Sequence, residues 1–248
     1  MKSQQQMQLL RVHLLAMARL SQRALDYSVK GYTLRNSDFS RQIHTAGPEI
    51  EQHHHRAKEL CREFTKSGLT DSLDTRFAFA AVSIGNALHA THSAAVGIAQ
   101  DTLRLLESSG IQGCPALEAM SRHVNAAVRL CTVALFEENA AQAQIVLRQT
   151  ERCRFRELSS VALHPHIGRW AGAQGDFERA VIRSLADVAK QTHEVADAIL
   201  FWLEGHLRTA AGAGSVLQSA RQSESATGLS YLASDRLPAP KLSQSFSC

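Results

Sequence analysis

One pattern occurs twice in this chain. Met17-Ala-Arg19 through Asn36 is echoed by Met120-Ser-Arg122 through Asn139, and the long helical stretch 74–107 is echoed by 176–204. A repeat of about 100 residues made of three helical segments restricts the folds open to the chain, because each copy must bury the same apolar stripe against its neighbours. The expected fold is all-α, two tandem antiparallel three-helix bundles. Residues 1–110 form the first, residues 111–208 the second, and residues 209–248 a flexible tail.

Composition agrees with helices. Aromatic residues make up 6% of the chain while Ala, Leu, Gln, Arg and Ser abound, a balance that favours helix over strand. At 248 residues and 44% hydrophobic the chain can bury a sizeable core. Its formal net charge is +4, but the charges are mixed along the helices as solvated faces require, so no nucleic-acid partner is indicated. Cys61, Cys114, Cys131, Cys153 and Cys248 are widely spaced and form no CxxC pair. They are expected to be buried or unpaired thiols in a reducing compartment.

The N-terminus is broken at helical spacing by Arg11, His13 and Arg19, which makes it an amphipathic helix rather than a signal peptide. No apolar run approaches the roughly 20 residues that cross a bilayer. A cytoplasmic protein is expected.

Leu10, Leu14, Met17, Ser21, Ala24, Ser28 and Tyr32 recur at steps of three and four, the stripe an amphipathic helix buries. The first helix is placed at 4–35. Asn36-Ser37-Asp38 supplies caps for a second helix at 38–66, with a kink or break at Gly47-Pro48 where proline removes a backbone donor. The third helix starts near Asp71 and carries Phe77, Ala81, Ile84, Leu88, Ala95, Ile98 and Leu105 on one side. Helices at 115–138, 139–162 and 174–207 follow, with Pro165, Gly168, Gly172 and Gly175 in the connection before the last. Beyond Leu207 the apolar period disappears, as in a disordered segment.

The stretch from Leu73-Asp74-Thr-Arg76 through Ile84-Gly-Asn86-Ala-Leu88 to Ala95-Val96-Gly97-Ile98-Ala99-Gln100 resembles the third helix of the PhoU family. Ile50 and Cys61 also match its second helix, and the likeness covers about residues 8–206. It implies a non-enzymatic negative regulator of phosphate uptake and phosphate-starvation signalling. The partners implied are the ATPase subunit of a phosphate ABC transporter and a sensor histidine kinase. The chain would reach the membrane only through those partners, and exposed apolar faces are expected to permit a homodimer.

The family's ExxxD motifs hold metal ions with carboxylates four residues apart on one helix face. Aligned to this chain, they fall on His89 and Ser93, and on Gly47 and Glu51. In the second repeat they fall on Ala186 and Lys190, and on Thr150 and Arg154. Only Glu51 keeps a carboxylate, so no metal cofactor is expected at an unaltered family site.

Two candidate sites remain. The first is a metal site of Glu51, His55, His89 and His92, since Glu51 shares a helix face with His55, or with His54. His89-x-x-His92 could meet it from the third helix, and imidazole with carboxylate favours zinc or iron over magnesium. It would make the chain a metal-binding sensor or storage protein. The consecutive His53, His54 and His55 fan around a helix and cannot all ligate one ion. Glu51-Gln-His-His54 also matches one ExxH element of di-iron bundles, but no second occurs. The second candidate is an anion site at Arg154 and Lys190, with Arg148, Arg152 and Arg156 nearby, because such donors suit phosphate oxygens. No GxSxG, Walker loop or HExxH is present, so no catalytic residue is assigned.

Overall fold

A computed structural model of the chain describes residues 2–66, 72–107, 115–163 and 173–205, with the side chains of residues 2, 3, 44, 65, 72, 115, 116, 153–163, 173 and 174 left undescribed. Seven α-helices and one 3-10 turn make up these residues. They are α1 (Lys2–Thr33), α2 (Ser37–Ile43), the 3-10 turn His44–Ala46, α3 (Gly47–Lys66), α4 (Ser72–Glu107), α5 (Pro115–Phe136), α6 (Ala140–Leu163) and α7 (Ala173–Glu204). The expected second helix is therefore α2 and α3, separated by the 3-10 turn immediately before Gly47-Pro48. The tail at 209–248 lies outside the described residues, as do the connections at 67–71, 108–114 and 164–172.

The duplication is visible in how the two first helices end. Arg35 and Glu138 both take positive φ, 52° and 53°, the left-handed turn that closes a helix. Asn36 N then bonds Gly31 O at 3.0 Å, and Asn139 N bonds Ala134 O at 2.9 Å. Each asparagine next caps the following helix: Asn36 Oδ1 accepts from Asp38 N at 2.8 Å and Asn139 Oδ1 from Gln142 N at 3.1 Å. The left-handed residue in each copy is the one before the asparagine, and the asparagine's part is to supply the side-chain acceptor that caps the next helix.

The predicted stripe of α1 is buried from Leu10 to Tyr32, as is that of α4 from Phe77 to Leu105. Helix α4 packs on α1, α2, α3 and α7. It runs antiparallel to α7, so that Phe77 near its start meets Trp202 near the end of α7 with ring centroids 4.6 Å apart. Helices α1 and α5 are also antiparallel, linked by Arg11 to Glu138 at 2.6 Å and by Asp26 to Arg129 at 2.8 Å. One hydrophobic cluster gathers around Phe64, Phe77 and Trp202, a second around Leu25, Ile98 and Leu185. Residues of both repeats contribute to each.

Several buried hydroxyls are satisfied within this packing. Thr91, Thr102, Ser121 and Thr192 donate to the carbonyl four residues earlier, which hides the hydroxyl against its own helix. Ser21 Oγ reaches Met17 O and also Leu88 O of α4, each at 2.8 Å. Small side chains with internally paired hydroxyls let the long helices approach closely. Where α1, α4, α5 and α7 cross, a cavity of about 10 Å³ lined by Ala18, Leu88, Thr91, Cys131 and Thr192 remains, room for about one water.

Candidate metal-binding cluster

Glu51 and His54 sit one turn apart on α3, and His89 faces them from α4. The antiparallel pairing of these helices sets the register, with Cys61 Sγ 3.7 Å from Ala78 O further along the same seam. One ligand atom from each of Glu51, His54 and His89 lies within 4.8 Å of the others. His89 Nε2 and Glu51 Oε1 are 2.5 Å apart. The imidazoles of His54 and His89 stack, with centroids 4.6 Å apart and planes 18° from parallel.

The surroundings treat the three residues differently. Glu51 is exposed, and the hydrogen bond from His89 holds its carboxyl below the usual range, helped by the charges of His89, His54 and His92 against a smaller effect of burial. His54 is 8% exposed. Burial lowers its pKa, opposed by its hydrogen bond to Asn86, while neighbouring Lys58 pushes the same way as burial. His54 Nε2 lies 3.1 Å from Asn86 Oδ1, so in this arrangement Nε2 carries the proton and donates to the amide oxygen. Its ring packs against Gly85, where a Cβ would stand 3.7 Å from His54 Cδ2.

The cluster differs from the sequence expectation at two positions, His55 and His92. His55 is not part of the cluster; its Nε2 lies 3.1 Å from Glu59 on the exposed side of α3, because a step of one residue turns the side chain by about 100°. His54, the alternative partner on the Glu51 face, takes its place. His92 is buried and acts on Glu51 through its charge, but its ligand atoms are not among the three that meet. His53 points to α1, with its Nδ1 2.8 Å from His13 Nδ1. Burial, then His53 and Arg56, lower the pKa of His13.

Asn86 and His13 were not anticipated as partners. Asn86 could have been found from its place one turn before His89 on the same stripe. His13 could not, since only the packing of α1 on α3 brings it to His53. Ser93 donates to His89 O at 3.1 Å and faces solvent.

The proposed anion site is not assembled among the described side chains. Lys190 is exposed and lies 3.9 Å from Glu194 one turn along its own helix. The side chain of Arg154 is outside the described residues. Thr150 is buried and its hydroxyl lies 3.0 Å from His193 Nδ1 of α7, so the second repeat carries a threonine–histidine contact at the position aligned with a family carboxylate. Cys61 and Cys131 are buried thiols, pushed up by desolvation to about 11 and about 12. Such thiols are poor nucleophiles near neutral pH. Cys114, Cys153 and Cys248 lie outside the described side chains.

Glu51, His54 and His89 fit an imidazole-preferring divalent ion such as zinc or iron, because they offer two nitrogens and one oxygen. They fit magnesium or calcium poorly, since those ions require several oxygens. Ligation by His54 Nε2 would require it to lose its proton and leave Asn86. Such an ion would act here as a fixed positive charge clamping α3 to α4.

No family model and no curated protein matches the sequence. The fold does have solved counterparts. The chain is similar to PhoU from Pseudomonas aeruginosa, with a TM-score of 0.74 and 17% identity over 82% of this chain and 99% of that one. It is also similar to the phosphate transport system regulatory protein PhoU from Streptococcus pneumoniae, with a TM-score of 0.71 and 15% identity over 84% of this chain and 99% of that one. The architecture is PhoU-like across the helical part of the chain. No helix among the described residues is long and apolar enough to cross a membrane.

Proposed function

We propose that this chain is a non-enzymatic cytoplasmic regulator of phosphate uptake and phosphate-starvation signalling. It acts by binding the ATPase subunit of a phosphate ABC transporter and a sensor histidine kinase. The observation that supports this reading is the likeness to PhoU structures over nearly their whole length. The chain therefore offers a complete scaffold of that kind, and a scaffold of packed long helices works through its outer faces. Pull-down of the transporter ATPase subunit and of the kinase at low and high phosphate tests the reading. Retention of either partner in a phosphate-dependent way supports it; capture of neither overturns it.

A second reading has its own observation, the convergence of Glu51, His54 and His89. On it the protein binds zinc or iron and reports or stores the metal. Such an ion would cross-link α3 and α4 through two imidazoles, so its loss would loosen that seam. Elemental analysis after purification without an affinity tag decides it. About one equivalent supports metal binding, and less than about a tenth of an equivalent excludes it.

A further inference from the structure

Helices α1 and α5 leave an outer face that the packing does not use. Leu9, Val12, Val133 and Phe136 are exposed on it, Val12 at 58% and Phe136 at 59%. Three-residue steps from Leu9 to Val12 and from Val133 to Phe136 place each pair on the solvent side of its own helix. The Arg11–Glu138 link puts Val12 and Phe136 at the same end of the antiparallel pair. Towards the other end the outward positions become cationic: Arg19 and Arg23 on α1, Arg122 and Arg129 on α5.

Charge narrows the choice of occupant. Arg129 is engaged by Asp26, whereas Arg19, Arg23 and Arg122 have no carboxylate partner among the described residues. A second copy presenting the same face would bring the same arginines, and its Asp26 and Glu138 are already held by Arg129 and Arg11. The occupant must therefore be anionic and tolerate apolar side chains beside the charge. Both ion pairs straddle the α1–α5 seam and occupy it with paired charge. A face with exposed apolar side chains at one end and arginines at the other suits an anionic lipid surface, where aliphatic and aromatic groups enter the interface and guanidinium groups meet headgroup phosphates.

We propose that the α1–α5 face binds anionic lipid bilayers directly, through Leu9, Val12, Val133 and Phe136 with Arg19, Arg23 and Arg122. This inference is independent of the regulator reading, which places the chain at the membrane only through its partners.

The test is co-sedimentation of the full chain with phosphatidylcholine vesicles, alone or with about 30 mol % phosphatidylglycerol. Binding to the anionic vesicles is expected to exceed that to the neutral ones by at least about tenfold, and to fall at about 0.5 M salt as screening shortens the reach of the arginines. The double variant Val12→Glu/Phe136→Glu and the double variant Arg19→Glu/Arg23→Glu each alter only exposed positions. Each should lower anionic-vesicle binding by at least about fivefold with an unchanged circular dichroism spectrum. Should one fail to fold, the other carries the test. Equal binding to both vesicle types, binding to neither, or binding unaltered by the variants overturns the proposal. Variant-sensitive binding to a Glu-rich amphipathic peptide but not to vesicles also overturns it, and assigns the face to an acidic protein partner.

Discussion

Arg11 provides the most direct measure of what holds the bundle closed at one end. Its guanidinium lies over two rings, 5.2 Å from the centroid of Phe77 and 5.3 Å from that of Trp202, and it pairs with Glu138 at 2.6 Å. One side chain thus ties α1 to α4, α7 and the end of α5. Trp202 is 2% exposed, so Trp202→Ala should cost about 3–5 kcal/mol through lost transfer energy and the cavity left behind. Arg11→Met keeps most of the aliphatic packing and removes the charge. Its cation–π contact is partly desolvated and contributes about 1–2 kcal/mol. The ion pair is about a third exposed on both sides and adds well under about 1 kcal/mol after screening. We expect a loss of about 1–2.5 kcal/mol, a fall in Tm of roughly 3–8 °C for a unit of this size. Urea denaturation of Arg11→Met, Trp202→Leu and the double variant gives the coupling directly. A coupling of about 0.5–1.5 kcal/mol is expected for groups in contact. Additivity within about 0.3 kcal/mol would refute the claim that the guanidinium is held by the tryptophan ring.

The other predictions concern backbone, caps, protonation and thiols. Gly205 has φ of 76° and an added Cβ would collide with the Arg76 guanidinium, so Gly205→Ala should lower stability by about 1–2 kcal/mol in urea melts. Asn36→Ala and Asn139→Ala should each cost about 1 kcal/mol, and a loss confined to one of them would show that the two caps are not equivalent. His13 and His54 have folded pKa values below the ordinary 6.5, so the unfolded chain takes up protons first as pH falls. Their contribution is full above about 6.5 and is lost as pH drops through the folded values, so the urea midpoint should decline from about pH 7 to pH 5. His13→Asn and His54→Asn should flatten that decline, while Glu51, lowered from 4.5, acts only in a more acidic window. With Cys114, Cys153 and Cys248 replaced by Ser, Cys61 and Cys131 should react with a thiol reagent at least about a hundredfold faster in urea than in the native protein; equal rates would contradict their burial.

Much of the architecture was legible because a helix writes its buried face into the sequence every three to four residues. The stripes of α1 and α4 and the break before Gly47-Pro48 follow from local spacing, and the repeated Asn36 and Asn139 marked the same turn twice. The site was legible in part. Glu51 and His89 were placed opposite one another by resemblance, and they meet, but the choice between His54 and His55 depends on a single step of helical rotation. That step is decided by which side of α3 faces α4. The arginine and lysine pattern at Arg154 and Lys190 suggested an anion site, yet Lys190 lies beside Glu194 on its own helix, which the bare count of positive charges did not weigh.

The sequence by itself determined that this chain is helical and built on a repeated pattern, because period, caps and breakers act within a few residues of where they are written. Only the tertiary structure decided which histidines meet. His13 reaches His53 and His54 reaches His89 across helix seams, joining residues about 40 and 35 positions apart. Contacts of that kind depend on how whole helices settle against one another, a balance of side-chain volumes along the full seam that no local window contains.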